Sequence, residues 1–493
     1  LEKSYKSTFK NTVAFGGIQI ITIFLNLIKG KFIAIYLGPV GIGVNNLLLT
    51  SVNLITTFND FGLDLSAVRD LSEANETENQ NKTNRTITIV EKLFFYTAIF
   101  GALFLAIFSS LLSEFTFGSS DYTFSYLLLS IFVFFTTLTK GQQTVMRGLR
   151  KINFIIKSGF YGTLAGVIVS IPFYYFLGVD GIVPTMIITA LISFILSGYY
   201  YSKIPKIKIQ ISNKEVWREG KQMMKLGIML IFSILIGILV RYLISVGIGK
   251  IGNIKDVGLY SAAMSISGQY VGFILASLGA DYFPRLVAVS QNTKEVNRIV
   301  NEQTEIVLLL ATPLLIIMII TSPILIKVLL TKEFYEIIDF IRFIALGSFF
   351  QLASYCMGYI SFAKNDRKTY VIMEGLIGNF FNLVLSLILY YFYGLFGLAI
   401  GYLALYVIYF IIILNVTGKL YDFSIHKDSS QFFYVSFAFI FFVFLSFYLP
   451  NDYLAYGIAL ILFGLNAIYS YHHLNKRMDL EDLFIKLKSK FKR

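Results

Sequence analysis

Three cations stand in stretches that are otherwise apolar enough to cross a bilayer. Lys29 and Lys31 lie in the run that ends at the turn Leu37-Gly38-Pro39-Val40-Gly41-Ile42-Gly43. Arg241 lies in another run, which leads to Gly258-Leu259-Tyr260-Ser261. A charge in the hydrocarbon region costs ~3 kcal/mol or more, so it normally faces a cavity or a partner. Lys29 is about 18 residues into its run and Arg241 about 15 into its own. At about 1.5 Å per residue both fall beyond mid-depth. Cations so placed suit an anion, with phosphate or pyrophosphate the natural ligand of an arginine fork. Snorkelling of the ammonium to the outer interface is the competing use, for Lys31 above all.

Other polar residues of the apolar runs are less specific. Asn26, Asn53, Gln269, Asn379 and Asn382 suit a polar headgroup, and hydrogen bonds between helices would account for each equally well. Asp60 and Asp64, four residues apart, are expected on one face at the inner end of the second run. There they would exchange protons with the cytoplasm and couple transport to a gradient. A hydrated inner mouth with Arg69 as partner is the alternative. Arg342 follows Asp339 at helical pairing distance, with Glu336 nearby, and Lys327 is expected to snorkel. One cysteine, Cys356, excludes an internal disulfide and a thiolate metal cluster. His426, His472 and His473 are expected in loops or at a helix end. No nucleophile, acid/base pair, cofactor motif or metal set stands out.

The elements that must carry these residues are membrane helices. With 56% hydrophobic residues, only 14% charged and a mean hydropathy of +0.70, the chain reads as an all-α polytopic membrane protein. About fourteen spans are expected, near 11–37, 43–66, 92–113, 124–145, 158–177, 182–202, 226–248, 257–280, 305–331, 337–362, 370–392, 396–418, 431–449 and 453–472. No small-residue cleavage site follows the first, so it does not read as a signal peptide. The net charge of +13 does not indicate nucleic acid. The lysines and arginines cluster in the loops on the N-terminal side, while Lys250, Lys255 and Lys332 lie on the other. That asymmetry places both termini in the cytoplasm. The polar stretch 69–92 is expected as a cytoplasmic loop, and its Asn-x-Thr triplets as chance.

The second half repeats the first. Tyr174-Tyr175-Phe176-Leu177-Gly178-Val179-Asp180-Gly181 lines up with Tyr390-Tyr391-Phe392-Tyr393-Gly394-Leu395-Phe396-Gly397, 216 residues on. Gly159, Gly162 and Ser170 pair with Gly375, Gly378 and Ser386 at the same offset. Gly43 pairs with Gly258 at 215, and Arg150-Lys151 with Arg367-Lys368 at 217. This implies two pseudo-symmetric six-helix lobes around a central cavity. The expected parts are an N-lobe at 1–202, an amphipathic cytoplasmic linker at 203–225 around Trp217, and a C-lobe at 226–418. Two extra helices follow within 419–473, then a basic tail at 474–493.

The Leu-Gly-Pro-x-Gly-x-Gly turn, the Asp60-Phe61-Gly62-Leu63…Arg69 close of the second span, the Gly-x-x-Arg-Lys loop after the fourth and the two-lobe repeat carry a family likeness. Together they resemble the polysaccharide transporters of the multidrug/oligosaccharidyl-lipid/polysaccharide exporter superfamily, nearest to the O-antigen flippases (Wzx type). The resemblance implies a bacterial inner-membrane flippase and not an enzyme. It would carry an undecaprenyl-pyrophosphate-linked oligosaccharide, an O-antigen unit or similar glycan, to the periplasmic leaflet by alternating access. Lys29, Arg241 and Lys31 would meet the pyrophosphate. Membrane lipids, H⁺ or Na⁺ and other polysaccharide-assembly membrane proteins are the further expected partners. Lipid II flippases also use basic residues in their first helix, where Lys29 matches, but their basic position in the second span is not met here. A drug/cation antiporter of the same superfamily would call for acids in the cavity. A polymerase or acyltransferase would call for catalytic residues on loops larger than these.

Overall fold

The computed structural model describes residues 2–77, 79–207 and 209–478, apart from the side chains of 2–21, 23, 230, 273, 276–281 and 478. The expected basic tail lies outside the described residues from 479 onward. The first helix, α1 (Glu2–Asn59), is broken at Gly38, whose φ of 60° and ψ of −169° suit only glycine; Pro39 then supplies no N–H. After it come α2 (Leu63–Glu76), α3 (Gln80–Ile107), α4 (Ser109–Phe117), α5 (Thr123–Gly148), α6 (Ile152–Leu177) and α7 (Ile182–Ser202). They are followed by α8 (Asn213–Ile251), α9 (Ile254–Ala288), α10 (Thr293–Leu329), α11 (Ile338–Ala363) and α12 (Arg367–Tyr370). A π-helical turn, Val371–Ile377, joins α12 to α13 (Gly378–Tyr421), and α14 (Lys427–Ser446) and α15 (Asp452–Met478) complete the described residues. There is no strand among the described residues.

Among the described residues ten stretches are long and apolar enough to cross a membrane. Three of them, Phe24–Asn59, Ile152–Ser202 and Arg367–Tyr421, are interrupted partway along. Each is broken by a glycine of positive φ, at Gly38, Gly178 and Gly394. The polytopic all-helical fold is therefore as expected, with α14 and α15 as the extra C-terminal pair.

The repeat is written into the backbone as well as the sequence. Gly178 (φ 57°, ψ −131°) and Gly394 (φ 58°, ψ −142°) make the same turn. Three residues further, a Cβ on Gly181 would lie 2.5 Å from the carbonyl oxygen of Phe173. One on Gly397 would lie 1.9 Å from that of Leu389. Both contacts match at the offset of 216.

The chain divides into two compact units. The first holds the residues up to Gly258 together with Val328–Thr331. Its core has one cluster around Leu48, Val52, Tyr126, Leu129, Val133 and Ile182, contributed by α1, α5 and α7. A second cluster, around Leu63, Leu71, Val90, Leu93, Val145 and Val216, seats α2 and the start of α8 against α3 and α5. Close helix approach depends on glycine. A Cβ on Gly258 would stand 1.8 Å from Pro39 O, and one on Gly43 2.1 Å from Ile254 O. These repeat-related glycines pack against each other, as small residues do where backbones must touch.

The second unit holds Leu259–Lys327 and Lys332 onward. There α11 packs along α13, and Phe349, Phe350, Phe410, Phe433 and Phe437 form a ring cluster that holds α14. The Arg477 guanidinium of α15 reaches Glu305 of α10 at 2.7 Å, and Ser429 of α14 donates to the same carboxylate at 2.6 Å. The two extra helices are thus tied to α10 by one buried acid.

Three local expectations are corrected. Residues 69–92 are mostly helical rather than a loop: α2 buries Leu63, Ala67, Leu71 and Ala74 along one stripe, and Asn79 caps α3. The second span ends at Asn59, not 66. The linker helix around Trp217 is not separate from the seventh span, because α8 runs unbroken from Asn213. It starts in a capping box in which Ser212 and Glu215 satisfy each other's backbone N–H groups.

Candidate functional site

Asn26 and Lys29, three residues apart on α1, face the same cavity of about 290 Å³, inside the first unit. Its opposite wall is α6, where Gly159, Gly162 and Gly166 recur at helical spacing and offer backbone instead of side chains. Gln143 of α5 and Thr189 and Ser193 of α7 close it. Among the described residues the lining contains no carboxylate. Lys29 makes no hydrogen bond or ion pair with any described residue. A half-buried ammonium facing only hydroxyls and amides is set up to receive an anion, since no described residue of its own unit neutralises it.

The other expected site residues lie elsewhere. The Lys31 ammonium donates to the carbonyl of Leu330, in the short segment that belongs to the first unit, and does not line the Lys29 cavity. Arg241 is exposed on α8, again without an ion pair to the described residues, and Asn53 is exposed on α1. Gln269 is exposed on α9 in the second unit. Asn379 and Asn382 are engaged within their own helix. The Asn379 amide donates to the carbonyls of Glu374 (3.1 Å) and Gly375 (3.0 Å), and Asn382 accepts from Ser386.

Asp60 and Asp64 do not share a helical face, which corrects that expectation. The helix stops at Asn59, and Phe61 (φ 48°) and Gly62 (φ 68°) turn the chain before α2 begins at Leu63. The turn is held by close contact with α8: a Cβ on Gly62 would lie 2.2 Å from Gly227 O. Asp60 is 2% exposed and pairs with Lys140 of α5 at 2.5 Å, not with Arg69. Lys140 was legible as a lysine in an apolar run, but nothing in the local sequence couples it to a residue 80 positions earlier.

Sequence reasoning also passed over Glu374. It sits in the π-helical turn, where Tyr409 donates to its carboxylate at 2.6 Å. From there a polar row continues along the α11–α13 contact: Gln351 donates to Tyr406 at 2.8 Å and accepts from Tyr402 at 3.0 Å. The signal available in sequence was the repeat, which sets Glu374 opposite Ser158 and Tyr409 opposite Ser193.

A broken-helix repeat with a cation-bearing polar cavity defines a membrane transporter fold, and the comparisons agree. Residues 32–339 match the family described as "Polysaccharide biosynthesis protein", and the chain belongs to that family. It is 23% identical over 405 residues to the lipid III flippases of Escherichia coli (strain K12) and Shigella flexneri, covering 79% of this chain and 93% of each relative. Its fold is that of the lipid II flippase MurJ in an inward closed conformation, with a TM-score of 0.71 and 16% identity over 94% of this chain and 99% of the other. It is also that of an inward-facing multidrug resistance MATE family transporter of the MOP superfamily, with a TM-score of 0.66 and 13% identity over 82% and 96%. The likeness to polysaccharide transporters of that superfamily is borne out.

Proposed function

We propose that this protein is a flippase for a polyprenyl-pyrophosphate-linked oligosaccharide. It moves the headgroup from the cytoplasmic to the outer leaflet of a bacterial inner membrane, with both of its own termini cytoplasmic. One observation carries the reading: among the described residues Lys29 has no partner and the polar cavity it faces within the membrane helices has no carboxylate. An antiporter of cationic drugs needs the opposite polarity there, because a fixed ammonium repels its substrate. The curated relatives are named as flippases of a lipid, in keeping with this reading.

In this mechanism Lys29 and Arg241 attract the pyrophosphate, and the glycan occupies polar space while the polyprenyl chain stays in lipid. Rocking of the two halves then changes the leaflet to which the headgroup is exposed, drawing on a gradient of H⁺ or Na⁺. O-antigen units are the substrate class the sequence motifs favour.

The test is native mass spectrometry of the purified protein with a polyprenyl-pyrophosphate glycan and, separately, a lipophilic cation. Wild type should retain the pyrophosphate lipid, and Lys29→Ala and Arg241→Ala should lose it while remaining folded. Retention of the cation alone would overturn the flippase reading.

A further inference from the structure

The polar side chains around Lys29 do more than tolerate an anion. Ser158 and Thr189 already donate their protons to helix carbonyls, to Ile155 at 3.0 Å and Thr185 at 2.8 Å, so each presents lone pairs to the cavity. Gln143, Thr163 and Ser193 line the same space and bond to no described residue, so both donors and acceptors remain open. The glycine face of α6 is flat. A Cβ on Gly159 would meet nothing within 4 Å, while those on Gly162 and Gly166 would come 3.3 Å from Ser193 Oγ and 3.5 Å from Thr189 Cγ2. Flat backbone ringed by hydroxyls and amides suits a polyol ring, and the ammonium at one edge suits a phosphate on that ring.

The repeat offers an internal comparison for these side chains. At the offset of 216, Ser158 corresponds to Glu374, Thr163 to Asn379, Thr189 to Leu405 and Ser193 to Tyr409. The helix contacts are conserved across the two copies: Gly162 meets Ser193, and Gly378 meets Tyr409 at 3.5 Å. In the second copy, however, Tyr409 reaches Glu374 and Asn379 turns back onto its own helix, so the larger side chains satisfy one another. In the first unit smaller side chains stand at the same positions and leave their polar groups turned to the cavity.

We propose that the Lys29 cavity is the subsite for the first sugar of the substrate together with the phosphate that bears it, a binding site for a sugar 1-phosphate. This rests on the flippase reading and narrows it. At about 290 Å³ the cavity lies at the lower end of the ~300–1,000 Å³ range of small-molecule pockets. It therefore takes one sugar unit, and the remainder of the oligosaccharide lies outside it. Gly159 and Asn26 are exposed whereas Ser158, Gly162 and Gly166 are buried, so the sugar enters at the Asn26 edge and lies down along the glycines.

The experiment is calorimetric binding to detergent-purified full-length protein. The probes are the 1-phosphates of glucose, galactose and N-acetylglucosamine, with inorganic phosphate and methyl glucoside as controls. At least one sugar 1-phosphate should bind tenfold or more tightly than either control. Lys29→Gln should reduce that preference to the level of methyl glucoside. Ser193→Tyr, which copies the second unit's own arrangement, should abolish sugar 1-phosphate binding, and Thr189→Val should weaken it severalfold without filling the space. Equal binding of phosphate and every sugar 1-phosphate, or an unaltered Ser193→Tyr variant, overturns the subsite. Proteoliposome flipping of a lipid-linked glycan separates the two readings. If wild type and Ser193→Tyr flip equally, the subsite is wrong and the flippase stands. If wild type flips nothing, the flippase reading falls first.

Discussion

The hydroxyl of Tyr409 lies 2.6 Å from the Glu374 carboxylate, joining α13 beyond its break at Gly394 to the π-helical turn that precedes it, across the ring's own packing on Gly378. A hydrogen bond of this kind contributes ~0.5–1.5 kcal/mol net, and leaving one partner buried and unsatisfied costs ~1–3 kcal/mol. Tyr409→Phe should therefore lower the thermal midpoint in detergent by several degrees. Glu374→Gln, which keeps an acceptor for the tyrosine, should cost less. Equal losses in the two variants would mean that volume, not the hydrogen bond, holds the pair.

Lys140 and Asp60 make a second coupled pair. Asp60 is buried, one of its carboxylate oxygens has no partner among the described residues, and the Lys140 side chain is 32% exposed. Removing the lysine leaves a buried charge uncompensated, which costs ~3 kcal/mol, the lower end of the usual range because the lysine is partly exposed. Lys140→Met should thus destabilise strongly, and adding Asp60→Asn should recover at least half of the loss. A double-mutant cycle of unfolding midpoints checks this, and strict additivity would exclude the pairing.

Among the described residues, two glycines sit where a methyl would come within 2 Å of a carbonyl oxygen. Gly258→Ala drives a methyl to 1.8 Å from Pro39 O, and Gly397→Ala one to 1.9 Å from Leu389 O. Both substitutions should sharply reduce the yield of folded protein in fluorescence-detected size-exclusion chromatography. Gly159→Ala, with open space around the new methyl, should leave the yield unchanged.

The α8 capping box makes a pH prediction. Hydrogen bonds from the Ser212 side chain and backbone, and then from Arg85, hold the Glu215 carboxylate down from the ordinary 4.5 to about 2. A depressed acid stabilises the fold above its unfolded value and loses that contribution as pH falls through the folded one. Between about pH 4.5 and 2, wild type should therefore lose stability more steeply than Glu215→Gln. Parallel melting curves for the two over that window would show that the box does not titrate with folding.

Much of the architecture was open to reading from sequence because bilayer crossing imposes a long apolar run on every span, and the glycine turns mark where runs fold back. The 216-residue offset of Gly178 and Gly394 foretold an identical backbone turn, since only glycine accepts those angles. Lys29 and Asn26 were likewise legible as intramembrane polar groups, and Arg342 finds Asp339 at 2.9 Å as local helical spacing requires. What sequence could not supply was the partner of each polar group. Asp60 meets Lys140 rather than Asp64 or Arg69, because two positive-φ residues end the helix between the aspartates and α5 packs alongside. The space facing Lys29 was equally hidden. It depends on Gly162 and Ser193 meeting across two helices, and side-chain volume is summed across such contacts only when the helices are packed together.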